Sequence, residues 1–144
     1  MIYFHANAED IGEVYEMLDK LRSNLRINLL APEYPGYGIY TETKPFDRKS
    51  TNTHSISCSA EQIKEDADSI YDFVLENFTG IQESDILLLG RSMGSGPSIY
   101  LSSTRNPGGL VCMSAYTSIK NVVYDSLSFL NYLVPEQFDN LDQI

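Results

Sequence analysis

The chain has 144 residues, two cysteines, two histidines and a formal net charge of -10 at pH 7, with an isoelectric point near 4.4. That length fits one domain with a single core. The acidity excludes a nucleic-acid partner, because phosphate contacts need clustered lysine and arginine that the sequence lacks. In chain order, Met1-Ile2-Tyr3-Phe4-His5 has the aromatic and β-branched content of a strand, so the sequence is expected to open inside structure. From Glu9 onward, Ile11, Val14, Leu18, Leu21 and Leu25 recur at helical spacing, with Glu9 and Asp10 suited to the amino end and Lys20 and Arg22 to the last turns. Arg26 to Ala31 predicts a second buried strand ending at Pro32, and Glu33-Tyr34-Pro35-Gly36-Tyr37-Gly38 a tight loop. Residues 40–57 are polar and aperiodic, as a surface insertion would be.

Ser59 with Gln62 gives a capping-box signature ahead of the stripe Ile63, Ala67, Ile70, Val74 and Phe78, and Gly80 is placed to end that helix. Asp85 to Leu89 predicts a third, buried strand. Ser95 to Leu101 can open a helix with Pro97 in its first turn, where a missing N–H costs nothing. Asn106-Pro107-Gly108-Gly109 then turns into a fourth strand, Leu110 to Ser114. Residues 118–138 hold an apolar, helix-compatible stretch and are a candidate lid or groove segment. Strands alternating with helices imply an α/β fold with a parallel sheet of about four strands and helices on both faces. Ligands in such sheets bind beyond the carboxyl ends of the strands where the winding reverses, here between the strands ending at His5 and at Gly90.

Gly90-Arg91-Ser92-Met93-Gly94 sits at that point. A G-x-S-x-G match alone is weak, but between a buried strand and a helix it describes a nucleophile elbow. There the backbone at the serine is strained and crowded, so the positions two before and two after must be small, and Gly90 and Gly94 meet that need. The Met93 N–H, at the start of the helix, would face a developing oxyanion. Nucleotide readings fail on spacing: Gly94-Ser95-Gly96 lacks a third glycine, and no Gly-Lys-Ser/Thr follows. Two histidines without Cys-x-x-Cys or His-x-x-x-His spacing leave a metal almost no ligands. Cys58 and Cys112 make no disulfide framework, and Cys112, in the apolar run Leu110-Val111-Cys112-Met113, is expected to be a buried inert thiol of a reducing compartment. No apolar stretch reaches membrane-spanning length.

Four segments in order, His5-Ala6-Asn7-Ala8-Glu9-Asp10, Glu33-Tyr34-Pro35-Gly36-Tyr37-Gly38, Gly90 to Pro97, and Ser114-Ala115-Tyr116-Thr117-Ser118-Ile119, resemble the α/β-hydrolase superfamily over nearly the whole chain. They look most like the branch of intracellular alpha/beta-hydrolase-domain proteins that includes membrane-associated protein depalmitoylases. The resemblance implies a partial α/β-hydrolase domain over residues 1–144, its four strands matching the third through sixth of the usual eight, in the sheet order second, first, third, fourth of this chain. It implies Ser92 as nucleophile, the backbone amides of Asn7 and Met93 as oxyanion hole, and His5, Gly90 and Gly94 as support of loop and elbow. Ala6 stands where the family has glycine, which restricts the loop if that position needs a positive φ. No cofactor or metal is implied.

The family places the triad's acid and histidine after its seventh and eighth strands, in the order Ser, acid, His. The sequence ends at Ile144 before either, and on this reading it is a fragment. His5 matches the histidine that shapes the oxyanion loop, His54 falls in the polar insertion, and Asp125, Asp139 and Asp142 follow Ser92 with no later histidine. Losing a triad histidine costs on the order of 10⁶ in kcat, so the isolated chain is expected to be nearly inert. A full-length form is expected to hydrolyse carboxylic esters or thioesters, with a long-chain acyl group or a lipidated protein as the substrate the family branch implies. Val122, Val123, Leu127, Phe129, Leu130 and Leu133, with Tyr124 and Tyr132, are candidates for an acyl groove. The alternative is an inactive hydrolase fragment serving as an interaction or structural module, whose exposed sheet edges favour self-association. The expected setting is cytoplasmic, with peripheral membrane attachment of a full-length form as one option.

Overall fold

Short apolar runs flanked by polar helices with one greasy stripe leave few packing solutions, and the chain adopts the layered one. The computed structural model describes residues 1–40 and 58–116. Strands β1 (Ile2–Phe4), β2 (Leu87–Arg91) and β3 (Gly109–Met113) form a parallel sheet in that order. Helices α1 (Ile11–Leu25), α2 (Ala60–Asn77) and α3 (Ser95–Thr104) connect and cover it. Successive strand residues point to opposite faces. Accordingly Tyr3 and Leu89 join Val14 and Leu18 of α1 in one core, while Ile2, Phe4 and Leu88 join Ile63, Ala67, Tyr71 and Leu101 of α2 and α3 in the other.

The caps explain the helix limits. Asp10 accepts from the Glu13 N–H at 2.9 Å and starts α1, and Ser59 accepts from the Gln62 N–H at 3.1 Å and starts α2. The reciprocal half of the capping box is absent, since the Gln62 amide donates to Asp66 instead. Asp68 ties α2 to α3, accepting from Arg105 at 2.9 Å and from the Tyr100 hydroxyl at 2.7 Å. No helix among the described residues is long and apolar enough to cross a membrane.

Three expectations need correction. Arg26 to Ala31 does not form a strand. Arg26 takes a left-handed conformation (φ 55) to close α1, and Ile27 still bonds back to Arg22, so only the residues after them are free to pair. What remains is a single parallel bridge between Leu30 and Ile2, made by Tyr3 N–H to Leu30 O at 2.8 Å and Leu30 N–H to Met1 O at 3.0 Å. Among the described residues the sheet therefore has three strands and a bridge where about four strands were expected, and the order second, first, third, fourth holds. The third strand runs two residues later than predicted because Glu83–Asp85 forms a 3-10 turn capped reciprocally by Gln82 and Asp85. Cys112 is exposed, because β3 pairs on one side only among the described residues, and partial burial pushes its thiol up. Residues 41–57 and 117–144, which hold most of the predicted insertion, the candidate lid, His54, Asp125, Asp139 and Asp142, lie outside the described residues.

Burial pushes the Tyr71 hydroxyl up to about 12 and the Tyr34 hydroxyl well above its usual 10. Both folded-state values exceed the unfolded one, so their contribution to stability is complete below pH 10 and is lost as pH rises through 10 toward 12. Urea midpoints measured from pH 9 to 12 are expected to fall, and less steeply in Tyr71→Phe. An equal fall in that variant would assign the alkaline loss to other groups.

Candidate active site

The register of the sheet brings two turns together. Phe4 lies opposite Gly90, so the chain leaving β1 at His5 emerges beside the chain leaving β2 at Arg91, both at the carboxyl edge. Segment 28–31 pairs on one side of β1 and β2 on the other, which makes this the point where the winding reverses.

At the end of β2 the backbone turns through Ser92 at φ 49, a left-handed conformation unfavourable for a non-glycine residue. A 3-10 turn over Ser92–Gly94 leads directly into α3. The flanking glycines are required by space. A Cβ on Gly90 would collide with the Gly94 carbonyl and lie 2.6 Å from Ser98 Oγ, and one on Gly94 would collide with the Phe4 carbonyl and lie 2.9 Å from that of His5. Ser95 Oγ donates to the Ser92 carbonyl at 2.6 Å and Ser98 Oγ to that of Gly94 at 2.9 Å, so two buried hydroxyls brace the turn. Met93 stands at the amino end of the turn, where N–H groups have no partner within the helix. Its carbonyl accepts from the Tyr116 hydroxyl at 3.4 Å.

The facing turn runs from His5 to Asp10. Asn7 is exposed, and its Oδ1 accepts from the Tyr37 hydroxyl. The left-handed residue is Ala8 (φ 60), not Ala6, so alanine in the place of the family's glycine carries no such strain. His5 is fully buried. Its Nδ1 donates to the Ala6 carbonyl at 2.9 Å, and its Nε2 lies 2.8 Å from Glu33 Oε1, close enough for an ion pair but misaligned for a hydrogen bond. Its ring packs on Tyr34 at 4.1 Å, and the Tyr34 hydroxyl donates to the His5 carbonyl at 2.9 Å. Both imidazole nitrogens thus face their own loop and Glu33.

Sequence reading missed two carboxylates that hold this corner. Glu9, expected at the helix end, instead accepts from the Ala6 N–H at 3.2 Å and pairs with Arg91, joining the residue before Asn7 to the residue before Ser92. Glu33 accepts from the Ile11 N–H at 3.2 Å while facing His5. An acidic residue opening an otherwise aromatic and glycine-rich loop was the available signal for the second; nothing in the spacing marked the first. A cavity of about 310 Å³ opens among Met1, Asn28, Leu29, Leu30, Phe78 and Ile86, at the opposite end of the strands from Ser92.

A parallel sheet wound both ways from β1, with a glycine-flanked serine in a left-handed turn at its carboxyl edge, is the core of an α/β-hydrolase fold, present here in part. The sequence comparisons agree. The chain is 25% identical over 127 residues to an alpha/beta hydrolase of Acanthamoeba polyphaga mimivirus, covering 88% of this chain and 43% of that protein. It is 27% identical over 124 residues to alpha/beta hydrolase domain-containing protein aho-3 of Caenorhabditis elegans, covering 86% and 33%. Against alpha/beta hydrolase domain-containing protein 17B of Homo sapiens it is 23% identical over all 144 residues, 44% of that protein. The chain is thus related to the alpha/beta-hydrolase superfamily and spans less than half the length of these relatives. No protein-family model matches it.

Proposed function

We propose that this chain carries the nucleophile half of a serine hydrolase acting on carboxylic esters or thioesters. The single observation that supports it most is Ser92 held at φ 49 between two glycines that no side chain could replace, beside the turn that carries Asn7. Ser92 Oγ attacks the acyl carbonyl, the amides of Asn7 and Met93 hold the oxyanion, and water later releases the acyl group. A base must take the serine proton, and His5 is committed to Ala6 and Glu33. Among the described residues no histidine is presented to Ser92, and on this reading this chain alone turns over negligibly at neutral pH. Oxyanion stabilisation without the base leaves only about 10³ over water. The names of the relatives support a hydrolase in general; a long-chain acyl group or a lipidated protein as substrate is the finer part of the proposal.

The test supplies the missing base from solution. The chain is incubated with p-nitrophenyl acetate and imidazole, and acetylated serines are located by peptide mapping. Ser92 Oγ forms a bond to the acetyl carbon, imidazole accepts its proton and p-nitrophenolate leaves. Ser92 is expected to acetylate about 10²-fold faster than the exposed Ser69 and Ser103, and Ser92→Ala to leave only that background. Equal acetylation of all three serines would remove the nucleophile assignment.

A second reading, a non-catalytic module that self-associates, is favoured by β3, where Val111 is 50% and Met113 45% exposed beside an edge unpaired among the described residues. Sedimentation velocity of this chain and of Val111→Lys distinguishes it: a dimer lost in the variant supports association through this edge, and a monomer excludes it.

A further inference from the structure

We propose that Tyr37 is a positioning residue for the oxyanion site, fixing Asn7 through its side chain so that the Asn7 amide keeps its place opposite Met93. This rests on the reading of those two amides as the oxyanion donors. The turn is short, is exposed at Asn7 and Ala8, and contains one left-handed residue, Ala8, so its own backbone does little to hold Asn7. Glu9 ties the turn together at Ala6 and joins it to Arg91, and its further restraints come from the loop after segment 28–31. Tyr34 is buried and donates to the His5 carbonyl at 2.9 Å, Glu33 accepts from the Ile11 N–H at 3.2 Å, and these secure the two ends of the turn. Between them, among the described residues, the Asn7 side chain is held by the hydrogen bond from Tyr37.

The Tyr37 hydroxyl is itself well placed to act as a fixed point. Its ring meets the His5 ring at 5.6 Å and the Tyr34 ring at 5.7 Å, both edge to face, so it is keyed to a buried aromatic pair that includes the first residue of the same turn. Partial burial pushes the hydroxyl upward, which keeps it protonated and donating to Asn7 Oδ1 at working pH. A positioned amide stabilises charge only as the transition state forms, and a displacement of about 1 Å costs on the order of 10²-fold in rate. The loop Glu33 to Gly38 thus reaches the chemistry without touching the substrate.

The experiment compares Ser92 acetylation by p-nitrophenyl acetate and imidazole in the 144-residue chain, Tyr37→Phe, Asn7→Ala and the double variant, with Arg105→Ala as a destabilised control remote from Ser92. Tyr37→Phe is expected to slow Ser92 acetylation about tenfold while Ser69 and Ser103 react unchanged. The double variant is expected to be no slower than Asn7→Ala, because Tyr37 acts through that side chain. Arg105→Ala, which loses the tie to Asp68, is expected to lower the urea midpoint and leave Ser92 reactivity intact. Preferential acetylation of Ser92 that Tyr37→Phe does not slow, or losses that multiply in the double variant, would overturn the role of Tyr37 and leave the nucleophile standing. Loss of preference for Ser92 in the unaltered chain would overturn both.

Discussion

Gly94→Ala is expected to cost about 3 kcal/mol of stability, an overpacking penalty at the upper end of the common range, and to lower Tm by roughly 10 °C for a domain of this size. The added methyl would fall on the Phe4 carbonyl with the His5 carbonyl 2.9 Å away, and both belong to backbone that cannot swing aside without breaking the register of β1 against β2. Gly90→Ala meets the Gly94 carbonyl and Ser98 Oγ, and Ser98 is itself buried and bonded to Gly94, so no flexible side-chain end gives way there either. Gly80→Ala is the control. Gly80 has φ +84 with nothing within 4 Å of an added Cβ, so that variant bears only the left-handed penalty of about 1–2 kcal/mol. Urea unfolding of the three variants gives the ranking directly. If Gly94→Ala proves no costlier than Gly80→Ala, the elbow and β1 do not approach as closely as stated. The same contact sets residues 5–7 against 92–93, so any Gly94→Ala protein that folds by easing them apart is expected to acetylate Ser92 more slowly as well.

What could be read from the sequence were the features with a strong local cause. The α1 helix, the Ser59 cap and the crowded turn at Ser92 each follow from residue type and spacing within one segment, and each stands where the sequence puts it. The strand at Arg26 to Ala31 failed because apolar content alone does not say which residues the preceding helix needs for its exit, and Arg26 and Ile27 are used that way. Cys112 failed for a related reason: an apolar strand is buried only if something covers it, and composition does not record neighbours. At the site, the glycines were legible because a missing side chain implies a close approach. The ties of Glu9 to Arg91 and of Tyr37 to Asn7 were not, since they join residues 82 and 30 positions apart, the first across the β1–β2 register and the second across the bridge of Leu30 to Ile2.

Ser92→Gly and Ser92→Ala should both abolish acetylation at this position, yet they are expected to move stability differently. Serine at φ 49 bears a left-handed cost of about 1–2 kcal/mol that glycine escapes. Glycine gives back about 0.4–1 kcal/mol through the greater freedom of the unfolded chain, which leaves Ser92→Gly about 0.5–1 kcal/mol more stable than the unaltered protein. Alanine keeps a Cβ in the same strained geometry, so Ser92→Ala is expected within about 0.5 kcal/mol of the original. Urea midpoints at fixed slope separate the two. A Ser92→Gly protein less stable than Ser92→Ala would mean that the turn carries no strain at this residue. A gain on replacing it with glycine locates the strain at Ser92 itself, as the proposed nucleophile elbow requires.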